Sequence, residues 1–328
     1  MSELTKVLTE SELLKNLSKI REGKDSGYSA FYSSQLGGII KEDSLMVIPF
    51  DDHMVHRGHG IFDTAAIANG KVYDLDAHLD RFIISAKNSK LLLPFPKEQM
   101  KKIILDTTSI SNRRDGSIRY WISSGTGNLG LIPPEDAKPA FFVMIFGGLD
   151  YPERYYKEGM KVITTSYPIK PSLYAVTKST NYLPNTLMQL EAKEKGFDNG
   201  IFVDSNGNVG EGSNMNTAFV SEDDTLKHPK FDNILSGCTA KRLLELAESL
   251  IGKGIIKDVN ICDISVEEAR ESREMMFIGS SIGVAPIVEW DNKKIGNGKP
   301  GPIVSELKKL LSDDIMNSKD RLIEVLYT

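Results

Sequence analysis

Ala175-Val176-Thr177-Lys178-Ser179-Thr180-Asn181-Tyr182-Leu183-Pro184-Asn185 carries one cation among small, hydroxylic and apolar residues. No carboxylate lies close enough in the stretch to pair with Lys178. Pro184 suits a first helical turn and Gly196 a helix end, so a helix is predicted over 182–195. Lys178 would then sit in the loop mouth just before that helix. A lysine held there and partly desolvated loses basicity, and its amine is free at neutral pH to attack a carbonyl. Taken alone, a solvated surface charge is the commoner fate of a lysine, and the chain has 40 Lys+Arg.

Downstream of this stretch the elements are well punctuated. A hairpin is predicted over 201–211 across Asn206-Gly207, followed by a strand over 216–221. Leu243, Leu246, Ala247, Leu250 and Ile251 form the inward side of a helix over 240–251. Ser265 and Glu268 read as a capping box before a short helix. A buried strand over 275–278 and a helix over 302–311 complete this half.

Upstream, Asn69-Gly70 turns a hairpin over 67–73. Asp76 reads as the cap of a helix through Leu79, Phe82, Ile83 and Ala86. A helix over 97–110 and strands over 117–123 and 141–146 follow. The stretch 147–154 breaks both periodicities and reads as a linker. The class is α+β in each half, with prominent hairpins and none of the βαβ alternation of a doubly wound sheet. The expected division is an N-terminal extension over 1–30, helical with Leu13, Leu14, Leu17 and Ile20 on one side; a smaller α/β domain over 31–148; a linker over 149–156; and a larger domain over 157–328.

With 328 residues the chain can bury two cores, and 40% hydrophobic with 26% charged residues is ordinary for a globular protein. A net charge of −5 gives no reason to expect nucleic acid or an anionic membrane as partner. No apolar run is long enough to span a bilayer. The start lacks the apolar core of a secretory signal and is too acidic for an organelle transit peptide. Cys238 and Cys262 imply no disulfide framework, so a reducing, cytoplasmic setting is expected.

Several stretches carry competing readings. Gly125-Thr126-Gly127-Asn128-Leu129-Gly130 matches a dinucleotide fingerprint, but Pro133-Pro134 blocks the helix such a site needs, and a flexible loop over a site fits better. His53, His56 and His59 are evenly spaced, yet Arg57 among them opposes a metal ion; structural histidines are expected, and no metal. Gly237-Cys238-Thr239 offers free N–H groups to an anion at a helix start, or else Thr239 merely caps that helix. Gly279-Ser280-Ser281 is a second donor-rich turn. Arg81 is a phosphate clamp or a helix-surface charge. Glu211 lies between glycines, as an acid for a ring nitrogen or a turn residue in solvent.

Together these residues resemble the class IV, fold-type IV pyridoxal-phosphate (PLP) enzymes, which include branched-chain and D-amino-acid aminotransferases and aminodeoxychorismate lyase. The resemblance runs from about Tyr32 to Leu311 and rests on HRGHGIFDTAAI (56–67), HLDRF (78–82), TKSTNYLPN (177–185), EGSNMNTAFV (211–220), ILSGCTAKRLLEL (234–246) and FIGSSIGVAPIVEWD (277–291). DDHMVHRGHG and RYWISSGTG look most like the plant-type D-amino-acid aminotransferase and aminodeoxychorismate lyase subgroup.

The resemblance implies two α/β domains, the C-terminal one a pseudo-barrel, with the cofactor at their interface. Lys178 would bond PLP and move the substrate proton. Glu211 would hold the pyridine nitrogen, and Tyr182 the phenolic oxygen. Arg81, Cys238 and Thr239, with Ser280 or Ser281, would hold the phosphate. Gly212 and Ser213 would leave room for the ring, and Asn216 would brace Glu211. Asn181 would keep the turn of the lysine loop. Phe62, Arg119, Trp121 and Thr126 would face the substrate.

Two positions depart from the bacterial D-amino-acid pattern. Ser123-Ser124-Gly125 stands where those enzymes place a carboxylate-binding arginine, and Phe62 replaces a common tyrosine. The expected activity is amine transfer between a small amino acid, D in preference, and a 2-oxo acid by a ping-pong route. The alternatives are aminodeoxychorismate lyase, an L-branched-chain aminotransferase, and a non-catalytic protein that keeps the fold. The resemblance also implies a homodimer, with the loop near 125–130 helping to close a site.

Overall fold

The computed structural model describes residues 4–23 and 27–327. Residues 1–3 and 24–26 of the expected extension, and residue 328, lie outside them. Two sheets organise the chain. In the first, strands run in the order Leu322–Glu324, Lys71–Tyr73, Gly60–Ala68, Gly116–Ser123, Ala140–Phe146, Tyr28–Ser33 and Gly38–Ile40. The strand Gly60–Ala68 alternates, with Ile61, Asp63 and Ala65 on one face and Phe62 and Thr64 on the other. Helices Leu75–Asn88 and Lys97–Ser111 cover the first face. Leu75, Leu79, Phe82 and Ala86 repeat at helical spacing and pack on Ile61, Ala65, Ile118 and Tyr120.

In the second sheet, Asn216–Val220, Glu274–Gly279, Gly283–Trp290, Met160–Thr164, Asn199–Val203 and Val209–Gly212 are successive neighbours. Val209–Gly212 then pairs back onto Asn216–Val220 through Asn216 and Glu211, closing the run into a barrel. Helices Cys238–Ile251 and Pro302–Asn317 pack Leu243, Ala247, Leu250, Val304 and Leu307 against it.

Four expectations change. Leu322–Glu324 returns to the first sheet, pairing with Lys71–Tyr73, and Val325 joins that core. The second unit therefore does not run unbroken from 157 to 328, because an edge strand accepts any extended segment with free backbone groups. The extension ends before residue 30, since the strand Tyr28–Ser33 pairs with Ala140–Phe146; the helix Glu10–Arg21 buries none of its residues in the chain. Asp76 caps nothing. The helix starts at Leu75 after Asp74, and the Asp76 carboxylate accepts from Lys101 Nζ at 2.8 and 2.9 Å. The capping box is half made: Ser265 Oγ accepts from Glu268 N at 3.1 Å, while the Glu268 carboxylate turns to Lys227 Nζ at 2.6 Å. A full opposite charge outcompetes a backbone N–H for that carboxylate.

Candidate active site

The lysine loop is stapled to the first sheet by its backbone. Phe62 N donates to Lys178 O at 2.9 Å, and Thr180 N to Gly60 O at 2.9 Å. Lys178 N donates to Ser85 Oγ at 3.2 Å. Asn181 Nδ2 donates to Gly58 O at 3.1 Å, so it ties the turn to the first sheet. These bonds aim the Lys178 side chain into the cleft between the sheets, where it is 9% exposed. Its Nζ donates to the Tyr182 hydroxyl at 3.2 Å and lies 4.6 Å from the Phe62 ring centre. Burial, with the Arg81 charge nearby, pushes the Lys178 amine down to about 8. Burial pushes the Tyr182 hydroxyl up to about 12.

Glu211 is buried on the barrel seam. One carboxylate oxygen accepts from Leu235 N at 3.1 Å and lies 3.5 Å from Asn216 Nδ2. Burial raises its pKa, and the charges of Lys170, Lys178 and Arg81 partly oppose this. Asn216 is itself anchored by donating to Leu235 O at 2.9 Å.

The far end of the cleft is rich in donors. The helix Cys238–Ile251 begins after Gly237, so Thr239 is not its cap; Thr239 Oγ1 instead donates to Ser280 Oγ at 3.3 Å. A Cβ at residue 237 would overlap Asn216 Oδ1, so only glycine leaves the helix mouth open. Arg81 reaches the same cleft, and Lys178, Tyr182, Glu211 and Ser213 line it with them. Arg81 is no surface charge: Asp63 and the Ser236 carbonyl take its guanidinium.

Beside Lys178 lies a second cavity of about 230 Å³, lined by Phe62, Thr64, Arg119, Tyr151, Ser280 and Ser281 among others. Phe62 pairs with Trp121, and Thr64 with Arg119, so all four side chains leave the same sheet face. Arg119 Nε donates to Thr64 Oγ1 at 3.1 Å, and its guanidinium lies over Phe62. Among the described residues no carboxylate pairs with Arg119, and burial makes its charge costly.

Two expected substrate residues are elsewhere. Trp121 leans along its sheet face into the cluster of Phe31, Ala140 and Phe142. Thr126 bridges by backbone to Asp52. The loop around it is pinned within its own chain: His53 N donates to Gly125 O at 3.0 Å, and Arg57 to Leu129 O at 2.6 Å. Residues 125–130 line neither cavity beside Lys178. Gly212 is needed for packing rather than for ring space, since a Cβ there would meet Phe277 at 2.6 Å. Ser123 Oγ donates to Asp52 at 2.7 Å and Ser124 Oγ lies 2.9 Å from His59 Nδ1, so neither hydroxyl turns to the cleft. His53 and His59 touch through Nδ1 atoms 3.0 Å apart. Among the described residues no group of three or more His, Cys, Asp or Glu is arranged for a metal.

Sequence reasoning missed Asp63, His78 and Lys170. Asp63 and His78 sit inside motifs already singled out; an acid on the apolar face of a strand, read with a cation on the apolar face of the next helix, was the available signal. Lys170 Nζ lies 4.9 Å over the Tyr182 ring, and nothing local marks it.

A set of buried amine, acid and donor-rich helix mouth along one cleft suits a flat, phosphorylated, ring-nitrogen compound. A D-amino-acid transaminase, chloroplastic, from Arabidopsis thaliana is 47% identical over 310 residues, covering 94% of this chain and 82% of that protein. The branched-chain amino acid aminotransferase of Escherichia coli has the same fold, with a TM-score of 0.83 at 21% identity over 91% of this chain and 100% of its own. A second branched-chain amino acid aminotransferase (from T.th.), solved with pyridoxamine 5'-phosphate, also has a TM-score of 0.83, at 22% identity over 91% of this chain and 99% of its own. The amino-transferase class IV signature matches residues 60–290. The chain belongs to the class IV aminotransferase family.

Proposed function

We propose that the chain is a PLP-dependent aminotransferase that exchanges an amino group between a small amino acid, D in preference, and a 2-oxo acid by a ping-pong mechanism. The observation that carries this is the buried Lys178 amine, hydrogen-bonded to Tyr182 alone among the described residues, with Glu211 across the cleft and the Arg81–Thr239 donors at its end. Bound there, PLP supplies the electron sink that eases bond breaking at the substrate α-carbon. An amine with pKa about 8 is neutral in roughly a quarter of molecules at pH 7.5, against about a thousandth for an unperturbed lysine. Lys178 Nζ is thus placed to bond the cofactor and then to move the proton at the α-carbon. Glu211, with one oxygen committed to Leu235 N, presents the other to a ring N–H. Tyr182 keeps its proton and donates to the phenolic oxygen. Arg81, Thr239, Ser280 and the N–H groups of the 238–239 turn hold the phosphate, and Cys238 packs beside them.

Arg119, a cation on the cavity wall with no acidic partner among the described residues, holds a substrate carboxylate. The preference for D-amino acids is supported by the name of the Arabidopsis thaliana relative. The deciding assay supplies D-alanine and 2-oxoglutarate and looks for pyruvate and glutamate, with L-leucine in parallel. Faster L-leucine turnover would favour the branched-chain reading. Pyruvate from aminodeoxychorismate without amine transfer would favour the lyase.

A homodimer is supported by apolar surface around the short helix His53–Arg57 and the loop pinned to it. Phe50 is 77% exposed, and Leu131 and Ile132 are 79% exposed, more than a lone subunit would leave uncovered. A second copy would cover it and bring this loop towards its partner's cleft; sedimentation at micromolar concentration tests this. No described helix is long and apolar enough to cross a membrane, and the net charge of −5 gives no electrostatic reason to expect nucleic acid. Free Cys238 and Cys262 suit the reducing cytoplasm.

A further inference from the structure

We propose that Asp63 is the positioning residue that aims Arg81 at the cofactor phosphate, with His78 locking Asp63 from behind. This rests on the PLP reading above and assigns a role to two residues that do not line the cleft. Asp63 lies on the core face of the strand Gly60–Ala68, between Ile61 and Ala65, and is fully enclosed. An ionised carboxylate there persists only if its oxygens are matched by donors. They are: Oδ1 accepts from Thr64 N at 2.7 Å, His78 Nδ1 at 2.8 Å and Arg81 Nη2 at 2.7 Å, and Oδ2 accepts from Arg81 Nε at 2.9 Å.

A guanidinium has five N–H groups in a rigid plane. Two of them meet Asp63 side by side, which fixes both the plane and its rotation. A third goes to Ser236 O at 3.1 Å. His78 Nδ1 also lies 3.2 Å from Nη2, but it carries the proton given to Asp63 and cannot accept, so two N–H groups remain for an anion in the cleft that Arg81 lines with Thr239 and Ser280. Without Asp63 the plane is free to turn, and nothing selects that edge. His78 and Arg81 stand three residues apart on one side of the helix Leu75–Asn88, so one strand residue meets both.

Charge and aim can be separated here. Burial alone would lower the His78 pKa, but Cys238 and Asp63 raise it to about 10, so the imidazole is protonated at neutral pH. Asp63→Asn removes one negative charge. It also removes one of the two partners that keep His78 charged, Cys238 being the other. Arg81 keeps its own charge in Asp63→Asn, and Asp63→Glu keeps the carboxylate charge as well, so between them the two variants separate the aim of the guanidinium from its charge.

The test titrates cofactor-stripped wild type, Asp63→Asn and Asp63→Glu with PLP and with pyridoxal, which lacks the phosphate, following absorbance. Asp63→Glu keeps the charge and moves the carboxylate by one methylene, so it decides the matter if Asp63→Asn does not fold. The expected result is PLP affinity roughly 10- to 100-fold weaker in the variants, with pyridoxal affinity within about 3-fold of wild type. Equal loss for both ligands would make Asp63 a fold residue and overturn the proposal. Unchanged PLP affinity would overturn it too. A wild type that binds neither ligand would remove the cofactor reading itself, and this inference with it.

Discussion

Glu211 and Asn216 are cross-strand partners at the seam where the second sheet closes on itself, and Asn216 Nδ2 lies 3.5 Å from Glu211 Oε2. Barrel closure and placement of the acid are therefore one event. Asn216→Ala would leave Leu235 O without its donor and Glu211 with one fewer. The expected cost is about 1–3 kcal/mol of stability, read by urea denaturation, together with weaker PLP binding.

Glu211→Gln keeps an acceptor for Leu235 N but loses the charge that would hold a proton on the ring nitrogen. Cofactor should still bind, while amine transfer falls by a factor on the order of 10² or more. Stopped-flow half-reactions would show whether the loss lies in proton movement at the α-carbon, as expected, or in substrate binding.

Lys178 lends itself to a pH measurement. Its folded pKa of about 8 lies below the ordinary lysine value of 10.5, so the folded state releases a proton that the unfolded chain keeps. The penalty is complete below about pH 8 and fades as pH rises towards 10.5. Lys178→Met, similar in volume, should stabilise the cofactor-free protein by about 2–3 kcal/mol at pH 7 and by much less at pH 10. The same variant should be colourless with PLP and inactive in amine transfer. In wild type the rate of PLP capture should climb with pH up to about 8 and then level.

Arg119 has no acidic partner among the described residues, so its removal orphans no buried carboxylate. Arg119→Ala should leave the melting temperature unchanged or raised. It should lower kcat/KM for carboxylate-bearing substrates by roughly 10- to 100-fold, the worth of one or two charge-assisted hydrogen bonds. A parallel fall in stability and activity would place Arg119 in the scaffold instead.

The one-dimensional signals held where their physics is local. The helix after Lys178 and the hairpin at Asn206-Gly207 depend on proline, glycine and residues a few positions apart. Residue chemistry left Arg81, Lys178 and Glu211 open between site and surface; the family resemblance of HLDRF, TKSTNYLPN and EGSNMNTAFV grouped them, and they line one cleft. The partners were another matter. Asp63 meets Arg81 only because a helix crosses a particular face of a particular strand. Arg119 faces the cavity, and Trp121 on the same face leans away from it, by register and side-chain packing. Leu322–Glu324 crosses back to the first sheet because an edge was free there. Periodicity and residue chemistry act over one or two turns and so are written in the chain, whereas register, sheet closure and buried ion pairing join residues far apart in sequence and are settled only when the cores pack.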